Sequence, residues 1–557
     1  MFDHAKTFER AQAACASREC WSPFPEMPKL YPDADIAAPA GLAAFEALLG
    51  QPFALDLPGV TGWVGEEISP YTQAPLGITY PQADPDTLFA AAKAAIPSWA
   101  AADIDTRLML LMEGLDRLYR DHLFTLVNAV MHTAGQSYNM AYAGSGVNAL
   151  DRGIEALVYA EQAMRAVAPS ARWARRFGPS EIALEKTYRL IPRGVAVCFT
   201  CASFATWNAW PSMLASLATG NAVILKPHPA SVLPMALTVR VFRALLAEQG
   251  FDPNLVTLCL DTVAAPLGKV LIKHPACAIV DFTGSARFGH WVEANAHPAL
   301  AFTETSGCNT VVLAGAEDLD AAIRALATTM CMFSAQMCTS PQNVYLPPVI
   351  DTPAGPVPRD VVAQKLADAI AALTQDPRKA SMILATVQAE PTLGLIGWVR
   401  EQAQSRGRVL LDSRAYPHLD FPKARTATPL LVQLGKDARD LYAEERFGPI
   451  GFVIDCDSAE DALAQATTDA RNNGGITGFL YARDEAFITR AEDAYAQAGA
   501  QLTINLTGAM PLNFAAAYSD YHVTGLNGAG NATLTTLGFV APRFAVTQSR
   551  RPVRNDA

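Results

Sequence analysis

Five short segments of this 557-residue chain carry side chains suited to covalent or ligand-binding chemistry. Cys338 lies in Phe333-Ser334-Ala335-Gln336-Met337-Cys338-Thr339-Ser340, a polar turn of small residues. A thiol there becomes a nucleophile where dipoles or cations favour its thiolate; the plain alternative is a buried structural thiol. Glu304, in Thr303-Glu304-Thr305-Ser306-Gly307, is a carboxylate that either activates water or merely solvates its loop. Glu444-Glu445-Arg446-Phe447-Gly448-Pro449 sets two acids before an aromatic ring and a Gly–Pro turn, with the same two readings. Phe282-Thr283-Gly284-Ser285 closes an apolar run and opens a helical one reaching Gly289, so free backbone N–H groups and a helix dipole would face an anion such as pyrophosphate. Lys226 follows the apolar run Ala222–Leu225 and precedes Pro227-His228-Pro229: a cation at a strand end, serving a ligand or simply solvated.

Strands alternating with helices would position these residues. Val195–Thr200, Ala222–Leu225, Leu255–Leu260 and Cys277–Phe282 read as buried strands. Helices are expected near Pro211–Ala218 and over Leu233–Gln249, Ala264–His274 and Ala286–Ala296. That alternation predicts a parallel sheet covered on both faces. A second α/β stretch is expected from Thr310 to Asn505, with strands at Thr310–Leu313, Asn343–Leu346, Val409–Leu411, Leu430–Leu434, Gly451–Asp455 and Leu502–Asn505. Residues 85–167 read as helical, 1–75 as a Pro-rich wrapped arm, and 172–192 and 539–546 as strand-like surface arms. The tail Val546–Arg554 is polar and basic.

Half the residues are hydrophobic and 17% are charged, which excludes a disordered chain. A net charge of −11 disfavours non-specific contact with nucleic acid or anionic membrane. Ten cysteines without a second CxxC beside Cys198–Cys201, and without a clustered His set, predict free thiols and no metal site. Charges at Asp3, Lys6, Glu9 and Arg10 with no apolar stretch between them predict a cytoplasmic protein. Residues 194–225 hold no charge and are long enough to span a bilayer, but polar residues from Thr200 to Asn221 break every apolar face, so strand, helix and strand are expected.

Taken together, the order and spacing of these segments resemble the aldehyde dehydrogenase superfamily over residues 80–550. The resemblance rests on Gly220-Asn221 before Lys226, the Phe282–Ser285 turn with Gly289, and Glu304 with Cys338 34 residues later. It rests further on Gln336 two residues before the cysteine and on Glu445-Arg446-Phe447-Gly448-Pro449. Thr206-Trp207-Asn208, Lys226-Pro227-His228-Pro229, Asn505-Leu506-Thr507-Gly508 and Ser519-Asp520-Tyr521-His522 are most similar to its phenylacetate-degradation (PaaN-type) subgroup.

That resemblance implies an α/β fold: a Rossmann-type cofactor domain (76–171 and 193–305), an α/β catalytic domain (306–535) and β oligomerisation strands (172–192 and 536–552). It implies Cys338 as nucleophile, Glu304 as general base, and hydride transfer to NADP, with NAD as the other option. Lys226 would bond the adenosine ribose, Gly284 and Ser285 the pyrophosphate, and Glu445 and Phe447 the nicotinamide ribose and ring. The substrate would be a small aldehyde, with a coenzyme-A semialdehyde from phenylacetate ring opening as the specific form. A homodimer or homotetramer is expected. The alternative is a dinucleotide-binding member with weak or no turnover.

The sequence departs from the family's pattern in three places. Ala202-Ser203 stand where the family keeps a Trp–Asn pair, and Trp207-Asn208 follow five residues later. The oxyanion donor is therefore Ser203 or Asn208. Pro229 replaces the glutamate of NAD-preferring members, which points to NADP or dual use. Ser306, Cys308 and Ala335 replace residues that flank the two catalytic groups.

Overall fold

The computed structural model describes residues 2–553. Met1 of the expected arm and Arg554 of the basic tail lie outside the described residues.

Five strands form the first sheet, in the order Val256–Leu258, Ala222–Pro227, Val195–Thr200, Cys277–Thr283 and Leu300–Glu304, and all pairs are parallel. Numbered along the chain, this order is 3-2-1-4-5. It reverses between Val195–Thr200 and Cys277–Thr283, and open α/β sheets bind ligands beyond the carboxyl ends of strands at such a point. Residues 194–225 thus form two buried strands around the helix Ala205–Ala218. Among the described residues no helix is long and apolar enough to cross a membrane.

The second sheet has seven strands: Gly407–Leu411, Leu430–Gly435, Ile450–Asp455, Pro341–Leu346, Asn309–Leu313, Thr477–Tyr481 and Gln501–Ile504. Only the edge strand Gly407–Leu411 pairs antiparallel. A third, antiparallel sheet joins Phe544–Pro552, Ser180–Pro192 and Ser170–Phe177 as an exposed arm.

Several boundaries differ from the sequence reading. Ala205–Ala218 starts six residues before Pro211 and keeps that proline inside it, held by a face that is buried along nearly its whole length. The strand expected over Leu255–Leu260 is only Val256–Leu258, and the helix expected from Ala264 is only Gly268–Lys273. The last arm strand begins at Phe544; residues 537–543 are helical turns capped by the Thr536 hydroxyl, which accepts from Phe539 N–H. Leu300–Glu304 and Thr477–Tyr481 are additional strands.

Between residues 85 and 165 the helices Pro85–Ala101 and Ile104–Ala134 start on Asp84 and Asp103, whose carboxylates accept from Thr87 and Thr106 N–H. They pack with Ala149–Arg165 on the first sheet, and Phe8, Ala11, Phe45 and Phe53 from the N-terminal region join the same core. After Gln501–Ile504 the chain leaves the second sheet and crosses to the first. There Tyr518, Leu534, Phe539 and Val540 enter the first core. Arg543 pins the end of this crossing strap: its guanidinium donates to both Asp281 oxygens, at 2.8 and 2.6 Å, between the rings of Phe302 and Phe539.

Candidate active site

Cys338 lies between two cavities. One, of about 300 Å³, runs from the strand-end turns at Ser203 and Gly284-Ser285 past Glu304 to Cys338, Glu445 and Phe447. The other, of about 110 Å³, is bounded by Met140, Trp207, Met337, Phe514 and His522. Cys338, Asn208 and Phe204 line both.

The loop holding the thiol is tightly built. Phe333, Ser334 and Ala335 all have φ near +50°, so the turn keeps a left-handed backbone even with alanine where a glycine would be unstrained. The side-chain amide of Gln336 donates to Thr386 O at 2.7 Å, and its oxygen accepts from Gln388 N–H at 2.8 Å. Asn309 donates to the Cys338 carbonyl at 2.7 Å. A Cβ on Gly307 would stand 1.7 Å from that carbonyl oxygen, so only glycine lets the loop after Glu304 pass so near the cysteine.

Glu304 ends its strand buried, with three side chains around the carboxylate. Asn208 Nδ2 donates to Oε2 at 2.9 Å, and His522 Nε2 lies 2.8 Å from Oε1 and 3.5 Å from Cys338 Sγ. Burial alone would raise the Glu304 carboxyl, but the charge and hydrogen bonds of His522, with those of Cys338 and Asn208, hold it below its usual value. Burial first, and then the Glu304 charge, push the Cys338 thiol well above its own. Donor atoms of Glu304, Cys338 and His522, from three distant segments, all lie within 4.8 Å of one another.

The strap places His522. Arg152 donates to the carbonyls of Ala515, Ala516 and Asp520 at 2.9–3.2 Å and pairs with Glu155 at 2.8 Å. Glu155 in turn accepts from the Thr535 hydroxyl, so one buried ion pair grips the strap on both sides of the histidine. The Trp207 ring lies edge-on to His522 at 4.7 Å and under Arg152 at 5.3 Å.

The two oxyanion candidates separate clearly. Ser203 lines only the larger cavity; its carbonyl accepts from Gln136 Nε2, and its hydroxyl sits 3.8 Å from Cys201 Sγ. Asn208 has its Oδ1 toward Cys201 Sγ at 3.5 Å, which fixes the amide with Nδ2 toward Glu304 and one N–H unengaged.

On the larger cavity, Ser285 is the N-cap residue of Ala286–Asn295 and makes no side-chain cap bond. Free backbone N–H groups and the helix dipole therefore face the cavity, as an anionic group requires. Glu445 accepts from Gly307 N–H at 2.9 Å, and burial pushes its carboxyl up to about 7. Phe447 is partly exposed at the mouth. Lys226, expected as a ribose ligand, is buried and paired: its Nζ is 2.5 Å from Asp261 Oδ1 and donates to Pro227 O. Pro227 O is thus its one hydrogen-bond acceptor, and the Asp261 carboxylate beside it is a charge partner.

Residues 64–513 match the family model described as the aldehyde dehydrogenase family. The chain belongs to the aldehyde dehydrogenase family. It accordingly has the aldehyde dehydrogenase fold and is an oxidoreductase acting on aldehydes with a nicotinamide dinucleotide. A solved family member, an NAD-dependent aldehyde dehydrogenase from Burkholderia multivorans, is 42% identical with TM-score 0.95, covering 99% of this chain and 98% of that one. Vanillin dehydrogenase of Pseudomonas sp. strain HR199 is 27% identical over 72% of this chain and 77% of its own length. A 4-trimethylaminobutyraldehyde dehydrogenase of Oryzias latipes is 25% identical over 51% of this chain, and the match spans about half of that protein, 55%.

Proposed function

We propose that the chain oxidises an aldehyde to a carboxylic acid through a covalent adduct on Cys338, with Glu304 as general base. The observation that carries this reading is the position of Cys338 and Asn208 on the wall shared by both cavities. An aldehyde entering from the smaller cavity would meet the thiolate there, with the larger cavity open behind it.

Each step falls to a named side chain. The Cys338 thiolate forms the C–S bond, and the carbonyl electron pair moves to oxygen. The unengaged N–H of Asn208 donates to that oxygen; Ser203 has the poorer position. When bound, the dinucleotide supplies the hydride acceptor. Glu304 then takes a proton from the water that adds to the resulting thioester, and the C–S bond breaks to free the acid.

Gly284 and Ser285 would hold the pyrophosphate, Lys226 the adenosine ribose, Glu445 the nicotinamide ribose, and Phe447 would pack beside the ring. The uncapped helix N-terminus at Ser285 is what makes these residues fit the group. Residues 76–171 and 193–305 would form the cofactor domain, and 306–535 the catalytic one. NADP is the favoured cofactor, with NAD accepted, because position 229 is proline and the Asp261 carboxylate is neutralised by Lys226. Steady-state kinetics with both cofactors test this; a strong NAD preference overturns it.

The substrate we favour is a coenzyme-A-linked semialdehyde from phenylacetate ring opening, on the PaaN-type resemblance. The cavity of about 110 Å³ beside Cys338 is where the aldehyde-bearing end would enter. Comparing kcat/KM for the thioester semialdehyde and for a free aldehyde of equal chain length tests it, and equal values would sink it. The exposed arm, with Phe177, Ile182, Ile191 and Val546 on its surface, supports a homodimer or homotetramer, measurable by light scattering, and the free cysteines support a cytoplasmic location. A member without turnover is not favoured, since nucleophile, carboxylate and amide stand together.

A further inference from the structure

Three unlike donor atoms meet where the strap crosses the two sheets. Cys338 Sγ lies 3.5 Å from His522 Nε2, and that nitrogen lies 2.8 Å from Glu304 Oε1. A zinc ion about 2.3 Å from sulfur and about 2.0–2.2 Å from nitrogen and oxygen holds tetrahedral ligand atoms about 3.3–3.6 Å apart. The sulfur and nitrogen already have that separation, and the nitrogen and oxygen would open by about 0.5 Å. Both cavities reach Cys338, so an ion can enter from either. The charges around the cluster favour a cation. Glu304 is a buried carboxylate, and its charge, with Cys201 and Glu445, opposes ionisation of the Cys338 thiol. Arg152 is committed to Glu155 and to strap carbonyls, and reaches the histidine only through the Trp207 ring. On the segment of His522 itself, Asp520 accepts from Ala516 N–H. Thiolate, imidazole and a single carboxylate suit zinc, whereas magnesium and calcium take oxygen ligands.

We propose that Cys338, His522 and Glu304 form an inhibitory site for a zinc ion, bound through Sγ, Nε2 and Oε1. In the metal-free protein Nε2 carries a proton that it donates to the Glu304 carboxylate. On binding, the S–H bond breaks, its proton leaves to water, and the electron pair left on sulfur forms the Zn–S bond. The Nε2 proton gives way to a Zn–N bond, and the ring keeps its one proton on Nδ1. A lone pair of Oε1 completes the protein ligands, and no electron is transferred. Asn208 goes on donating to Oε2 and orients the carboxylate. Nδ1 is buried without a hydrogen-bond partner, so the ring lacks the outer acceptor that strengthens structural zinc sites, and the ion is held reversibly. The site stands on its own geometry. That the ion inhibits rests on the proposed function: sulfur bound to zinc no longer attacks a carbonyl, and Glu304 no longer takes a proton from water.

Cobalt(II) takes the same ligands as zinc and reports a thiolate ligand by a charge-transfer band in the near ultraviolet, so the site is read without an aldehyde. The full chain, first treated with a chelator, should develop this band on titration with Co²⁺ and lose it when Zn²⁺ is added. Affinity should rise about tenfold or more per pH unit between about pH 6.5 and 8, because at least one proton leaves for each ion bound. Cys338→Ala should abolish the band, and His522→Gln and Glu304→Gln should each weaken binding about tenfold or more. In the unaltered protein, Zn²⁺ at about ten times its dissociation constant should slow alkylation of Cys338 by iodoacetamide about tenfold, located by peptide mass spectrometry. The same zinc should halt aldehyde oxidation until a chelator is added. A band that persists in Cys338→Ala, an affinity unchanged in folded His522→Gln, or alkylation of Cys338 that is indifferent to zinc overturns the proposal. So does oxidation that continues while the site is saturated. Zinc binding at Cys338 without turnover of any aldehyde by the metal-free protein would refute the proposed function and leave the site standing.

Discussion

The two cavities that meet at Cys338 are built on different plans. The larger is made where strands end: the turn after Val195–Thr200, the Gly284-Ser285 turn and Glu304 all sit at the carboxyl edge of one parallel sheet. Its walls follow from topology, and each contributing segment is short and recognisable. The smaller takes single side chains from distant places: Met140 and Trp207 from helices, Met337 from the cysteine loop, Phe514 and His522 from the strap. A cofactor common to a whole family can be met by a sheet edge. Under the proposed function, selection among aldehydes would fall to the single side chains that line the smaller cavity.

If that division holds, removing what the cavities share should cost most. Cys338→Ala should lower turnover by about 10⁴-fold or more while dinucleotide binding, followed by fluorescence, persists. Retained oxidation would end the nucleophile assignment. Next comes Asn208→Ala, expected to lose about 10²–10³ in kcat, as for other oxyanion donors. Ser203→Ala should stay close to the unaltered rate, and the reverse ranking would move the donor to the larger cavity.

Residues confined to one cavity should have narrower effects. Phe514→Ala should change the ratio of kcat/KM between a short and a longer aldehyde by about tenfold, leaving the KM for the dinucleotide alone. A change in the dinucleotide KM instead would show that the two cavities are not independent. Glu445→Gln should act mainly through pH. The Glu445 carboxyl titrates at about 7 in the folded protein against an ordinary 4.5, so the unfolded chain loses its proton first as pH rises. Stability therefore falls between those values and levels off above them. Glu445→Gln removes this loss, and its Tm should gain on that of the unaltered protein from pH 5 to 7.5. A constant Tm difference across that range would show that the carboxyl is not held protonated.

Most of the first sheet was legible because its strands are uninterrupted apolar runs, as in Val195–Thr200 and Ala222–Leu225, and because Lys226 and Gly284-Ser285 stand at their ends. Leu300–Glu304 was not: it follows His297-Pro298, has one β-branched residue, and ends on an acid. Thr477–Tyr481 escaped because Gly474, Gly475 and Gly478 read as a turn. Glu304 and Cys338 stood out as reactive side chains in polar turns, and the family resemblance paired them. The contact of His522 with both, and that of Asp261 with Lys226, cross 184, 218 and 35 positions and depend on packing alone. Asn208 fell between these cases: the pair Trp207-Asn208 was visible, but only the early start of its helix at Ala205 brings the amide to Glu304.

The strap from Ile504 to Phe544 ties the cluster of Glu304, Cys338 and His522 to the mechanical integrity of the whole chain. Glu304 belongs to the first sheet, Cys338 leads into the second, and His522 rides on a tether whose ends are fixed one to each. A small separation of the two cores would pull the histidine from its partners before either sheet lost a strand. Activity is therefore the most fragile reporter of the folded state. Under rising denaturant it should fade while the circular dichroism of both sheets is still intact.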